Sequence, residues 1–201
     1  LPTATRHWQE AAANNPEQRV QLTQAEAQLL RDANAYQEAF DVLGQALAQM
    51  PDYPDLLYDH AMAAEKVNRL DVLEANLRQL IKLRPDHAHA YNALGYTLAD
   101  RNQRIDEAYR LIETALKLAP DDPFIQDSMG WVLYRMGRLD EAEKYLRSAL
   151  AERPDAEIAA HLGEVLWVKG DRVAAQEVWQ SQLKSTPDNQ VLLNTVRRLA
   201  P

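Results

Sequence analysis

The chain has 201 residues, a net charge of −8 with a pI near 5.1, and no cysteine. An acidic chain with no cluster of Lys and Arg argues against a nucleic-acid partner. The missing cysteine excludes disulfides, thiolate metal sites and a cysteine nucleophile, and no apolar run approaches the roughly 18 residues that a membrane span needs.

Helix formers dominate the composition and β-branched residues are sparse, which points to an all-α fold. The chain opens at Leu1 rather than methionine, so a leader or a larger N-terminal region is expected to precede it. Residues 1–16 read as a partial repeat, with the second helix of a pair at 3–15 around Trp8 and Ala11 to Ala13.

Prolines then set a period. Pro16, Pro51, Pro85, Pro120, Pro154 and Pro187 follow one another at intervals of 35, 34, 35, 34 and 33 residues. Each ends an apolar-periodic helix, because proline lacks the N–H and clashes with the preceding turn. A two-helix repeat of about 34 residues is the tetratricopeptide (TPR) signature. Five repeats follow, at 17–51, 52–85, 86–120, 121–154 and 155–187, and an amphipathic capping helix at 188–201. The expected fold is a right-handed TPR α-solenoid of helix-turn-helix repeats.

In the first repeat, Leu22, Ala27 and Leu30 lie on one helix, Asn34 turns the chain, and Tyr36, Ala39, Leu43 and Ala46 lie on the other. The second opens with Pro54 in its first helical turn, where the missing N–H costs nothing, and turns at Asn68. It is the irregular one: Leu73 and Leu80 stand where the others place alanine, so its helices are expected to separate slightly or its neighbours to compensate. The third carries one inserted residue around Arg101 to Arg104. The fourth turns at Gly137, and the fifth carries Gly163, Gly170, Ala175 and Trp179. In the last segment Val191, Leu192, Val196 and Leu199 are placed to cover the end of the stack, with Arg197 and Arg198 facing water.

Gly95, Gly130 and Gly163 leave no side chain where the first helix of a repeat meets its neighbour, and Ala108, Ala142 and Ala175 do the same on the second. Helix axes then approach to about 8–10 Å. Nothing in the pattern calls for an enzyme, a metal or a cofactor. His87 and His89 diverge on a helix, His7, His60 and His161 are scattered over separate repeats, and a structural or solvent-facing role is expected for all five. Asp121-Asp122 and Asp140-Glu141 sit at helix starts, where carboxylates favour the dipole. Ser128, Ser148, Ser181 and Ser185 lie in no nucleophile-elbow context.

Leu94-Gly95, Ala108, Ala115 and Pro120, with their counterparts one repeat later, match the TPR consensus. The runs AYNALGYTLADR, DSMGWVLYRMGRLDEA and IAAHLGEVLWVKGD are more specific. From about Asp55 to Ala200 the chain resembles the C-terminal array of the LbcA-type family of proteobacterial outer-membrane TPR lipoproteins. The resemblance implies an adaptor in the periplasm, held to the outer membrane by an N-terminal lipid. Its partners would be the carboxyl-terminal processing protease CtpA and that protease's substrates, the peptidoglycan hydrolases. A scaffold for an envelope assembly or export complex, and a substrate-recruiting tail of a larger enzyme, are the rival readings.

In such stacks the first helix of each repeat lines the concave face. Helical spacing places Gln21, Gln24, Gln28 and Arg31 there, then Asp55, Tyr58, Met62 and Glu65, then His89, Asn92, Tyr96 and Asp100. Phe124, Asp127, Trp131 and Tyr134 follow, then Glu157, Glu164 and Trp167. The partner-binding groove is expected to be carried by Tyr58, Met62, Asn92, Tyr96, Phe124, Asp127, Trp131, Tyr134, Glu164 and Trp167. Tyr96, Trp131, Tyr134 and Trp167 form a run of rings that would stay partly exposed in a binding concavity. The competing reading packs Trp131 and Trp167 into the next repeat. The groove's charges lean acidic, so an apolar peptide with some Lys or Arg is the expected ligand, as a helix or an extended segment.

Overall fold

A computed structural model describes residues 15–200. The helix expected at 3–15, with Trp8 and His7, therefore lies almost wholly outside the described residues. Among those residues all regular secondary structure is helical. The helices are α1 (Pro16–Asp32), α2 (Tyr36–Gln49), α3 (Pro54–Lys66), α4 (Leu70–Leu83), α5 (Ala88–Asp100), α6 (Ile105–Leu118), α7 (Pro123–Arg135), α8 (Leu139–Glu152), α9 (Ala156–Lys169), α10 (Arg172–Ser185) and α11 (Gln190–Leu199). They fall into two compact units, Leu1–Ala90 and Tyr91–Pro201.

In the N-terminal unit α1 packs on α2, α2 on α3 and α3 on α4. Its core joins Val20 and Ala27 of α1 to Ala39 and Leu43 of α2 and to Leu56 and Ala63 of α3, with Phe40, Leu47 and Met50 against it. Asn15 caps α1, its side-chain oxygen accepting from the Glu17 and Gln18 N–H groups at 3.0 and 3.3 Å, and Pro54 opens α3. Asn34 and Asn68 turn the chain in the left-handed region, at φ 58° and 57°, which asparagine tolerates better than most residues. Leu73 and Leu80 are wholly buried here.

The C-terminal unit stacks the pairs α5–α6, α7–α8 and α9–α10, with α11 packed on α9 and α10. The glycines act as close-approach points. A Cβ on Gly95 would stand 2.6 Å from Ile112 Cγ1, and one on Gly130 would stand 2.5 Å from Leu146 Cγ. On Gly163 it would run into the Trp179 indole. The inserted residue of the third repeat is absorbed in the α5–α6 turn, where Asn102 and Arg104 are both left-handed, at φ 53° and 43°. Asp122, Asp155 and Asn189 cap α7, α9 and α11 with side-chain oxygens.

Candidate functional site

The first helices of the pairs, α1 and α3 in one unit and α5, α7 and α9 in the other, carry the expected groove residues. In the N-terminal unit Tyr58 and Met62 are half-buried, one turn apart on α3. The Tyr58 ring lies 5.4 Å from the His87 imidazole. Beside them Gln24 Nε2 of α1 donates to Asp59 Oδ2 of α3 at 2.7 Å. Gln28 bonds Asp32 and Arg31 bonds Gln28 along their own helix.

The C-terminal unit is more densely tied. Asp127 of α7 and His161 of α9 are both buried, with the imidazole Nδ1 at 2.9 and 3.1 Å from the two carboxylate oxygens. Burial opposes a charge on His161, but the carboxylates of Asp127, Glu157 and Glu164 outweigh it and raise the pKa. Trp131 stacks on this ring, centroids 4.1 Å apart and planes 22° off parallel, and the Arg135 guanidinium sits 4.8 Å from the Trp131 ring centre. Arg135 Nη2 donates to the Asp100 carbonyl oxygen at 2.9 Å. Tyr134 OH donates to Glu164 Oε1 at 3.1 Å, and Arg198 of α11 donates to the other oxygen of the same carboxylate. Tyr96 OH of α5 donates to Glu157 Oε1 of α9 at 2.8 Å. Burial, then the Glu157 charge, pushes the Tyr96 phenol far above its ordinary range.

Three expected groove residues are therefore not open to a partner. Trp131, Asp127 and Glu164 are only 5%, 6% and 6% exposed. The ring is covered by His161 and Arg135, and the buried carboxylates of Asp127 and Glu164 meet the His161 imidazole and the Arg198 guanidinium. Phe124 is 44% exposed, with Arg153 4.8 Å above its ring. Asn92, Tyr96, Tyr134 and Trp167 are half-buried. Trp167 lies against Trp179 of its own pair at 5.7 Å and under Arg172 at 5.0 Å.

The expected acidity is also reduced in this unit. Arg135 lies 3.9 Å from an Asp100 carboxylate oxygen, His161 answers Asp127 and Arg198 answers Glu164. Among the described residues Asp100, Asp127 and Glu164 each have a basic side chain as partner, Glu164 with the Tyr134 phenol as well, whereas the Glu157 side chain accepts only from the Tyr96 phenol. The sequence assigns Arg135 no role, gives His161 a structural or solvent-facing one and turns Arg198 to water; the structure pairs His161 with Asp127 and Arg198 with Glu164. The available signal was that His161 occupies the place held by Ser128 and Ala93 one and two repeats earlier, where a large polar group needs a partner. Among the described residues no cluster of three His, Asp or Glu side chains is placed to hold a metal.

Stacked helical hairpins, closed by small residues and presenting aromatic and polar side chains from their first helices, define a repeat scaffold of the protein-binding class. The chain belongs to the tetratricopeptide-repeat family, which matches residues 58–123 and 128–188. It is 48% identical over 161 residues to TPR repeat-containing protein PA4667 of Pseudomonas aeruginosa, a match covering 80% of this chain and 27% of that protein. It is 23% identical over 176 residues to human protein O-mannosyl-transferase TMTC1, covering 85% of this chain and 20% of that one. The chain thus spans about a quarter of these relatives' length or less.

Among solved structures it resembles TTC0263, a thermophilic TPR protein of Thermus thermophilus, with TM-score 0.76, 23% identity, and coverage of 90% of this chain and 96% of that one. It also resembles YrrB, described as a TPR protein with an unusual peptide-binding site, with TM-score 0.62, 18% identity, and coverage of 94% and 97%. The fold is the all-α, right-handed TPR solenoid. TPR domains are noncatalytic scaffolds, and this one is a protein–protein interaction module.

Proposed function

We propose that this chain is the binding array of a periplasmic adaptor. It would hold a carboxyl-terminal processing protease, present peptidoglycan hydrolases to it, and be tethered to the outer membrane through an N-terminal lipid. The observation that carries the reading is the row of first-helix side chains still accessible in each unit. Tyr58 and Met62 form it in one, and Phe124, Tyr134 and Trp167 in the other, Tyr134 and Trp167 lying within the motifs that resemble the LbcA-type lipoproteins. The 48% identity to a Pseudomonas TPR protein supports a proteobacterial setting. No helix of the described residues is long and apolar enough to cross a membrane. A pre-formed face of this kind acts without chemistry, by raising the effective concentration of protease and substrate.

The test is calorimetric titration of the full-length protein with the purified protease. Phe124→Ala is expected to weaken binding about tenfold, the range of an exposed aromatic anchor, with the helical circular dichroism unchanged. No heat of binding with the wild-type protein would refute the adaptor reading. A second reading, a recruiting array within a larger enzyme, draws on the similarity to a stretch of a mannosyl-transferase.

A further inference from the structure

Within the C-terminal unit, Tyr96 and Glu157 lie 61 residues apart and belong to α5 and α9. Those are the first helices of two pairs that are not consecutive, and α7 belongs to the pair between them. Their hydrogen bond therefore joins one first helix to the next but one along the face that carries Trp131 and His161. The Tyr96 ring centre is also 6.1 Å from the His161 ring, so the bond closes over the buried Asp127–His161 pair.

We propose that the Tyr96–Glu157 hydrogen bond is a strap across the first-helix face of the C-terminal unit, opened when a lysine or arginine side chain of the bound protein takes Glu157 from the phenol. The proposal rests on the reading of this face as the binding surface, and it names the residue that selects a basic ligand. Three observations carry it.

Glu157 is exposed on the first turn of α9, so an incoming side chain reaches it without displacing a helix. Asp100 and Glu164 each already face a guanidinium of the chain and Asp127 the His161 imidazole, whereas among the described side chains Glu157 is hydrogen-bonded only to a phenol. The phenol meets Glu157 with a dipole, whereas an ammonium or guanidinium meets it with a full charge, and that added Coulomb attraction favours the basic ligand. Tyr96, raised far above its ordinary pKa by burial, stays a donor and cannot repel Glu157 as a phenolate.

The chain has no cysteine, so Arg101→Cys and Val168→Cys place two spin labels at defined sites, one just beyond α5 and one in the last turn of α9. Electron–electron double resonance on the labelled protein is expected to give a narrow distance distribution. Adding Tyr96→Phe, which removes only the phenolic hydroxyl, should broaden and lengthen it. An amphipathic lysine/leucine peptide should do the same to the wild-type protein, and a glutamate/leucine peptide should not. The lysine/leucine peptide should bind Tyr96→Phe about fivefold tighter than wild type and Glu157→Gln about tenfold weaker, the range of one hydrogen bond and one charged contact. An unchanged distribution in Tyr96→Phe, read on the protein alone, overturns the strap. Equal effects of the two peptides, or none from either, overturn the displacement by a basic side chain. Loss of protease binding with both label results intact would count against the adaptor reading and leave the strap standing.

Discussion

Two buried imidazoles carry opposite electrostatics. His60 of α3 stacks on Phe40 with ring centres 4.5 Å apart and takes a hydrogen bond from the Asn76 amide at 2.9 Å. Burial, then the Arg69 charge, lowers its pKa below the ordinary 6.5 against the pull of Asp41. His161 is raised above 6.5 by Asp127 and the two glutamates, which outweigh its burial.

The signs follow from linkage. The neutral His60 stabilises above pH 6.5, and its contribution is lost as pH falls through its folded pKa. The charged His161 stabilises below pH 6.5, and its contribution is lost as pH rises through its folded pKa. In an NMR titration of the imidazole signals, the His161 midpoint is expected above 6.5 and that of His60 below it. A His161 midpoint below 6.5 would mean that burial, not the carboxylates, governs the site.

At the scale of helices, stability turns on how closely paired axes approach. A methyl on Gly163 meets the Trp179 indole, a side chain only 1% exposed. On Gly44 it meets only the edge of the His60 ring, at 3.1 Å. Overpacking a filled core costs about 1–3 kcal/mol. Gly163→Ala is therefore expected near the upper end, about 3 kcal/mol, whereas at Gly44 a loss near the lower end is offset by the roughly 1 kcal/mol that Ala gains over Gly in a helix, leaving little net change in urea denaturation followed by circular dichroism. Equal gains at the two positions would show that helix propensity, which favours Ala over Gly by about 1 kcal/mol, and not the approach distance, sets the effect.

This packing logic was legible in the sequence because it repeats. Gly95, Gly130 and Gly163 recur with the prolines, and Asn34, Asn68 and Gly137 mark the turns where the backbone becomes left-handed. The site was less legible because its contacts do not repeat. Asp127 and His161 are 34 residues apart where Gly130 and Gly163 are 33, so the carboxylate reaches a residue one place out of register. Tyr96 meets Glu157 across two repeats, which no single-repeat consensus describes. Trp131 has the spacing of a groove residue, and only its stack on His161 shows that it is buried.

At the scale of the whole molecule the question is how far one fault spreads. A repeat array sums the stability of each hairpin and of its contact with the next, so damage is felt first where it is made. Gly163 lies in α9, which packs on α7, α8, α10 and α11. Gly163→Ala should therefore lower amide hydrogen-exchange protection in α9 and α10, and in α11, whose Leu192 is wholly buried and whose Arg198 reaches Glu164. Protection in α1 to α3, around the Val20–Leu43–Leu56 core, should stay at its wild-type level. The reason is physical: no side chain of that core depends on Trp179, and local opening is governed by the contacts a segment makes. Exchange measured by mass spectrometry on both proteins decides it. A uniform fall across all the helices would mean that the chain unfolds as one cooperative body and that repeat-by-repeat addition does not hold for it.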